Sequence, residues 1–133
     1  MQKSLAYLFI LILIGISIGA STQSLGAVAP LVKSIPYGDK LIHFTLIGSL
    51  AYVVNFLLNF KRFTFLNKKW LLGTTVILII MTLEEFSQKF LPNRDFELLD
   101  LTANSLGIFA ATLVILIQQK QKTPESMPNN LAK

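Results

Sequence analysis

Residues 84–107 read E-E-F-S-Q-K-F-L-P-N-R-D-F-E-L-L-D-L-T-A-N-S-L-G and lie between two strongly apolar runs. This stretch holds five of the seven carboxylates of the chain, namely Glu84, Glu85, Asp95, Glu97 and Asp100. Pro92 stops a preceding helix because proline lacks a backbone N–H and its ring clashes with the previous turn. The stretch therefore predicts the end of one apolar helix, a tight connection over residues 91–97, and the start of another helix.

The composition points to a membrane protein. The 133 residues are 53% hydrophobic and 14% charged, whereas an ordinary soluble domain has about 25% charged residues. A chain of this size has too little interior to bury so much apolar surface. The absence of cysteine excludes disulfides, thiolate metal sites and a cysteine nucleophile. The net charge is +5, but the basic residues flank apolar runs and no nucleic-acid motif is present, so we expect no nucleic-acid partner.

Four apolar runs predict an all-α fold, a transmembrane four-helix bundle with helices at about residues 4–22, 40–60, 70–90 and 98–117. The first run also fits a secretory signal peptide, and the sequence leaves open whether this helix is cleaved or retained. The third run is purely apolar only through Leu83, so it must carry Glu84 and Glu85 into the membrane to be long enough to cross. Residues 1–118 form the transmembrane domain, and residues 119–133 are expected to be a disordered polar tail.

The basic residues set the expected orientation. With the N-terminus in the cytoplasm, cytoplasmic segments hold eight basic residues and the opposite side holds four. The loop of residues 61–69 alone contributes four basic residues and no acid. The positive-inside rule favours this arrangement, which makes both termini cytoplasmic in a multi-pass protein of the plasma or inner cell membrane. Six of the seven carboxylates, and the only histidine, His43, then lie in the outer half.

Helical spacing places these polar residues on inward faces, since charge exposed to lipid is costly. Asp39 and His43 are four residues apart on one helix, and Asp100 and Asn104 are four apart on another, so each pair shares a face. At about 1.5 Å of rise per residue, the deeper level holds His43, Glu84, Glu85 and Asn104, and the shallower level holds Asp39, Gln88, Arg94 and Asp100. Gly107 would let the fourth helix approach a neighbour closely.

Several chemistries fit this polar group. His43 and a buried glutamate could exchange protons as general acid and base. A histidine with several carboxylates also suits a divalent metal ion, although no metal motif is present. Arg94, together with Lys40 and Lys89, could hold an anionic head group at the outer surface. Alternatively, the residues pair with one another and hold the helices together, although intramembrane hydrogen bonds contribute only about 0.6 kcal/mol each.

The candidate residues fall into two groups. The candidate catalytic or proton-handling residues are His43, Glu84, Glu85 and Asp100. The candidate ligand-binding residues are Asp39, Lys40, Gln88, Arg94 and Asn104. The sequence identifies no cofactor, metal or oligomeric state, and it leaves open whether the protein is an enzyme.

Four elements occur in a fixed order along the chain: Asp39-Lys40-Leu41-Ile42-His43-Phe44, Glu85-Phe86-Ser87-Gln88, Arg94, and Asp100-Leu101-Thr102-Ala103-Asn104-Ser105-Leu106-Gly107. In this order they resemble the VanZ-like family of small integral membrane proteins, named for a protein linked to teicoplanin resistance. The resemblance covers residues 5–118. It implies a membrane protein of the cell envelope with a connection to teicoplanin susceptibility.

With the polar residues, the resemblance leads to a function hypothesis. We expect an outward-facing site that binds or modifies an anionic lipid or a lipid-linked envelope precursor. The alternative is a non-enzymatic accessory or assembly subunit, in which the polar residues are structural.

Overall fold

The structure is a computed structural model that describes residues 3–21, 32, 34–90 and 96–122. In these ranges the helices are α1 (Lys3–Ser21), α2 (Gly38–Leu57), α3 (Leu72–Ser87) and α4 (Leu98–Lys122). Strands β1 (Arg62–Phe65) and β2 (Lys68–Leu71) connect α2 to α3, and a 3-10 turn (Gln88–Phe90) continues α3. The mostly helical class expected from the sequence is confirmed.

The helices α2, α3 and α4 form the bundle, and α1 lies against α2. Lys40 near the start of α2 pairs with Asp100 near the start of α4. Glu85 near the end of α3 accepts a hydrogen bond from the backbone of Glu97. The starts of α2 and α4 and the end of α3 therefore meet at one end of the bundle.

Two glycines allow α2 and α4 to cross closely. A Cβ atom on Gly48 would lie 2.8 Å from the carbonyl oxygen of Gly107, and a Cβ atom on Gly107 would collide with the carbonyl oxygen of Phe44. Small residues at a crossing let the two backbones come together. The structure thus shows the close approach expected at Gly107 and identifies Gly48 on α2 as its counterpart.

The expected third helix, at about residues 70–90, has different bounds. The helix α3 begins only at Leu72, because Trp70 and Leu71 belong to β2, and it ends at Ser87. The reason is local: aromatic and β-branched residues favour strands, and residues 62–71 are rich in them. The expected loop of residues 61–69 is accordingly the first part of a hairpin.

The hairpin is closed by a two-residue turn. Arg62 pairs with Leu71 and Phe65 pairs with Lys68 in an antiparallel register. The turn residues Leu66 and Asn67 have φ angles of 50° and 59°. Two consecutive left-handed residues match the right-handed twist of a hairpin, and asparagine tolerates this conformation well.

The ends of α2 and α4 also differ from expectation. The helix α2 ends at Leu57 because Asn59 adopts a left-handed φ of 51°. The N–H of Asn59 donates to the carbonyl of Phe56 at 2.9 Å, and that of Phe60 donates to Asn55 at 2.7 Å, a bonding pattern that terminates helices. The helix α4 runs to Lys122, so the first residues of the expected polar tail are helical. Residues 123–133 lie outside the described part.

Apolar side chains cover the outside of the helices, while polar ones are buried between them. Leu83 of α3 and Phe109 of α4 are exposed, whereas Asn55, Glu85 and Asn104 are buried. Among the described residues, α2 and α4 are long and apolar enough to cross a membrane. The helix α3 has 16 residues and is shorter than such a span. Two candidate spans are therefore present, and the four-span bundle stays a prediction.

Candidate functional site

The polar residues of the described chain gather where α2 and α4 begin and α3 ends, and we call this region the polar end. Its members are Asp39, Lys40, His43, Glu84, Glu85, Gln88, Glu97, Asp100 and Asn104. Asp39 and Asp100 lie in the first turns of α2 and α4, where a negative charge is favoured by the helix dipole. The helix starts therefore help to collect acids here.

Lys40 lies at the centre of three carboxylates. Its Nζ is 2.7 Å from Oδ2 of Asp39 and 2.6 Å from Oδ1 of Asp100. It also contacts Oε2 of Glu97. The Lys40 and Asp100 side chains are mostly buried, whereas those of Asp39 and Glu97 are about half exposed. Lys40 was a candidate ligand-binding residue, but its charge is already neutralised within the protein.

The same three carboxylates have the spacing of a cation site. Oxygen atoms of Asp39, Glu97 and Asp100 lie within 4.8 Å of one another, which suits coordination of one hard divalent ion. However, the ammonium of Lys40 lies within ion-pair distance of all three. With Lys40 in place, this is an ion-pair cluster and not a metal centre.

His43 and Asn104 meet as expected from their depth in the helices. Nδ1 of His43 is 3.2 Å from Oδ1 of Asn104. An amide oxygen only accepts hydrogen bonds, so Nδ1 carries the proton and Nε2 is left as the basic nitrogen. Nε2 lies 3.9 Å from Oδ2 of Asp100. The side chain of His43 is 36% exposed, so part of the imidazole is open to the outside of the bundle.

Glu85 is the most deeply buried acid of the polar end. It is 0% exposed, and its Oε1 accepts the backbone N–H of Glu97 at 3.1 Å. Its Oε2 has no hydrogen-bond partner among the described residues. The carboxyl group is close enough to Asp100 and His43 to interact with both electrostatically. Burial of a polar atom without a partner is costly, so Oε2 is an unused bonding position inside the site.

The structure distinguishes Glu84 from Glu85, which the sequence left as alternatives. Glu84 is exposed, and its Oε1 accepts a hydrogen bond from Nε2 of Gln88 at 3.0 Å. This Glu84–Gln88 pair lies along one face of α3. Glu85 is the glutamate that reaches the neighbouring helix.

Glu97 belongs to the site, although the sequence predicted it only as part of the connection over residues 91–97 and not as a candidate site residue. Its carbonyl accepts the N–H of Asp100 at 3.0 Å, so it begins the first turn of α4. The spacing between Glu97 and Asp100 was the available signal, because residues three apart at a helix start share a face. Arg94, a candidate for anion binding, lies outside the described residues.

Lys89 provides a further positive charge next to the polar end. Its Nζ lies 5.4 Å from the ring centre of Phe86 and 4.6 Å from that of Phe96. The two rings stack with centres 5.3 Å apart. A cation over aromatic rings is held in position without losing its charge to a carboxylate.

A second polar group lies deeper, between α2, α3 and α4. Both amide hydrogens of Asn55 are used, because Nδ2 donates to the carbonyl of Ala51 at 2.9 Å and to Oγ1 of Thr74 at 3.0 Å. Thr112 donates its only hydroxyl hydrogen to the carbonyl of Ile108. Thr74 must therefore donate to Thr112, whose Oγ1 is 3.0 Å away. The result is a directional chain of hydrogen bonds that crosses three helices.

Three of the four elements that carry the VanZ-like resemblance, residues 39–44, 85–88 and 100–107, lie together at the polar end. The fourth, Arg94, lies outside the described part. The resemblance to the VanZ-like family is based only on the identity of these residues and on their order along the chain. Comparison of the chain with protein-family models, curated proteins and solved structures finds no match.

Proposed function

We propose that this chain is a VanZ-like multi-pass protein of the cell membrane. Its polar end would face outward and bind or modify an anionic lipid or a lipid-linked envelope precursor. The observation that carries the proposal is the pairing of two features at that end. Glu85 is fully buried with an unused oxygen, and the partly exposed His43 has Nε2 as its basic nitrogen.

The exposure of the helices supports the membrane location. A core helix of a soluble protein is mostly buried, but only 17% of the apolar window of α2 and 28% of that of α4 are buried. Contiguous apolar surface of this extent is not tolerated in water. The polar residues Asn55, Glu85 and Asn104 are enclosed instead, which is the arrangement that lipid requires.

The length of α3 is compatible with a third span. At 1.5 Å per residue α3 extends about 24 Å, and the 3-10 turn adds about 6 Å at 2.0 Å per residue. Together they reach about 30 Å, the thickness of the hydrocarbon core. With α1 as the fourth crossing, the proposal gives four spans and both termini in the cytoplasm.

The depth of the polar end supports a lipid-like ligand. Helix ends lie at the level of the head groups when the helices cross a bilayer. Lys40 is neutralised by carboxylates, so we assign the anionic group of the ligand to Lys89 and to Arg94 farther along the chain. Nε2 of His43 would then accept a proton from a hydroxyl or ammonium group of the ligand.

An apolar groove begins beside the polar end. It has a volume of about 450 Å³ and is lined by residues that include Val32, Ile35, Leu41, Ile42, Thr45 and Leu46. Leu41 and Ile42 directly follow Lys40 along α2. A lipid whose head group contacts the polar end has room for an acyl or prenyl chain in this groove.

The ion-pair cluster around Lys40 favours the second candidate function, a non-enzymatic accessory or assembly subunit. The cluster links α2 to α4 through Lys40 and Asp100, and its one ammonium is paired with three carboxylates within the protein. A structural network predicts that Glu85→Gln is tolerated, because the amide oxygen can still accept the N–H of Glu97. It also predicts that Gly107→Leu is not tolerated.

The deciding experiment compares Glu85→Gln and His43→Gln with the matched control Glu84→Gln, which changes the neighbouring exposed glutamate. Each variant is first checked for membrane insertion by resistance to carbonate extraction. Binding of a prenyl lipid with a phosphate-monoester head is then measured in nanodiscs, together with teicoplanin susceptibility of the producing cells. We expect Glu85→Gln and His43→Gln to weaken binding about tenfold, the effect of one lost polar contact. Normal binding and susceptibility in all inserted variants would favour the accessory subunit.

A further inference from the structure

The β-hairpin has two chemically different faces. Residues directly opposite each other in an antiparallel pair project on the same side of the sheet. Phe63 lies opposite Trp70, and Phe65 lies opposite Lys68, so these four residues share one face. The rings of Phe65 and Trp70 are exposed, and Leu66 at the tip is 78% exposed. The outer part of this aromatic face, at Phe65, Leu66 and Trp70, is therefore open, while Phe63 is half-buried.

The opposite face of the hairpin is attached to the bundle. Leu71 is buried, and the guanidinium of Arg62 donates to Oε1 of Gln119 on α4. Nε1 of Trp70 donates to the carbonyl of Phe65 at 3.2 Å. The Arg62–Gln119 bond holds the hairpin against the end of α4, whereas the Trp70–Phe65 bond stays within the hairpin and fixes the indole on the aromatic face.

This end of the molecule is strongly basic. The described residues at the hairpin and at the end of α4 include six cations, Lys61, Arg62, Lys68, Lys69, Lys120 and Lys122, and no acid. Aromatic residues favour the boundary between hydrocarbon and head groups. Each basic residue near a bilayer surface attracts anionic lipid. Exposed rings surrounded by cations therefore complement an anionic leaflet in both polarity and charge.

We propose that the hairpin is an interfacial anchor that inserts its aromatic face among the head groups and gathers anionic phospholipid around Lys68 on that face and around Lys69, which projects to the other side of the same strand. This inference rests on the membrane location proposed above. It concerns the end of the bundle opposite the polar end. It explains why a short sheet with an exposed aromatic face is stable at the end of a helical bundle.

Trp70 is the only tryptophan in the chain, so its fluorescence reports on the hairpin alone. The full chain is reconstituted into vesicles of phosphatidylcholine and phosphatidylglycerol in equal amounts. In one set of vesicles the acyl chains of phosphatidylcholine are brominated, and in the other those of phosphatidylglycerol. Both sets have the same surface charge and the same bromine content, so the ratio of quenching measures which lipid surrounds Trp70.

We expect blue-shifted emission and stronger quenching by brominated phosphatidylglycerol than by brominated phosphatidylcholine. In Lys68→Gln/Lys69→Gln the ratio should fall towards one, because the two cations of β2 nearest to Trp70 no longer attract anionic lipid. The matched variant Lys68→Arg/Lys69→Arg keeps the charge and should keep the ratio.

Three results would overturn the inference. Water-like emission quenched by acrylamide would place Trp70 outside the membrane. Blue-shifted emission that no brominated lipid quenches would indicate a protein partner on the aromatic face. Equal quenching by the two lipids in the wild-type protein would show that the cations of the hairpin do not attract anionic lipid. Resistance to carbonate extraction in the same samples separates these results from a failure of the membrane location itself.

Discussion

At the scale of single residues, Lys40 is the cation that keeps three carboxylates together. Its ammonium pairs with Asp39, Glu97 and Asp100. We expect Lys40→Met to lower the free energy of unfolding by about 1–3 kcal/mol, because the acids then repel one another while water screens the two exposed ones. Thermal unfolding of the detergent-solubilised protein measures this loss, and Lys89→Met serves as the control for removing a nearby exposed cation.

The same variant should acquire sensitivity to divalent cations. The three carboxylates are within 4.8 Å of one another, so Ca²⁺ can take the place of the missing ammonium. We expect millimolar Ca²⁺ to raise the melting temperature of Lys40→Met and to leave that of the wild-type protein unchanged. An equal shift in both proteins would show that Ca²⁺ acts elsewhere.

His43 offers a direct test of the site geometry because it is the only histidine. Its contact with the oxygen of Asn104 requires the proton on Nδ1. The ¹⁵N chemical shifts of the imidazole should therefore show the Nδ1–H tautomer in the wild-type protein and a mixture of tautomers in Asn104→Ala. The variant should also lose about 1–2 kcal/mol of stability with the buried hydrogen bond. A wild-type ring protonated on Nε2 alone would contradict this arrangement.

At the scale of helices, the close crossing of α2 and α4 depends on glycines, which have no side chain. A Cβ atom on Gly48 would be 2.8 Å from backbone of α4, whereas one on Gly15 of α1 would meet nothing within 4 Å. We expect Gly48→Ala to cost about 1–3 kcal/mol, the usual effect of overpacking. Gly15→Ala should instead stabilise its helix by about 0.5–1 kcal/mol. Unfolding in mixed micelles compares the two, and equal effects would remove the crossing as the cause.

The hydrogen-bond chain from Asn55 through Thr74 to Thr112 should couple three helices energetically. Thr74→Val removes both a donor and an acceptor from the middle of the chain, so we expect a loss of about 0.6–1.7 kcal/mol. Thr82→Val is the matched control, because Thr82 donates only to Leu78 in its own helix. A double-mutant cycle of Thr74→Val and Thr112→Val should show that the two effects are not additive. Strict additivity would contradict a direct bond between them.

At the scale of the whole molecule, the sequence predicts those features that depend on a regular pattern of residues, namely the helices and the depth of side chains along them. The apolar runs predict α2 and α4 because each run is long and bounded by charged residues. The depth of His43 and Asn104 along their helices predicts that these two side chains meet, as they do in the structure. The hairpin was not predictable in this way, since Leu66 at the turn lacks the usual glycine signal and Trp70 merges with the next apolar run. The pairing of Lys40 with Glu97 joins residues 57 positions apart. Contacts between residues so far apart in the chain depend on how the helices pack, and a local sequence pattern does not specify this packing.

The two ends of the molecule differ in charge, and this asymmetry sets the last prediction. The hairpin end has basic residues and no acid among the described residues, while the polar end holds the described carboxylates. From the positive-inside rule we therefore expect the hairpin in the cytoplasm and the polar end outside. Because the chain contains no cysteine, Thr64→Cys and Phe90→Cys each introduce a single thiol at exposed positions on opposite ends of α3.

A membrane-impermeant maleimide should label Phe90→Cys in intact cells and Thr64→Cys only after permeabilisation. The reverse pattern would invert the orientation and place the site in the cytoplasm. Labelling of both variants only after permeabilisation would mean that α3 does not cross the membrane, since Thr64 and Phe90 are separated by the full length of that helix. Resistance of both variants to carbonate extraction is the control for insertion, because it shows that the thiols are compared in embedded protein.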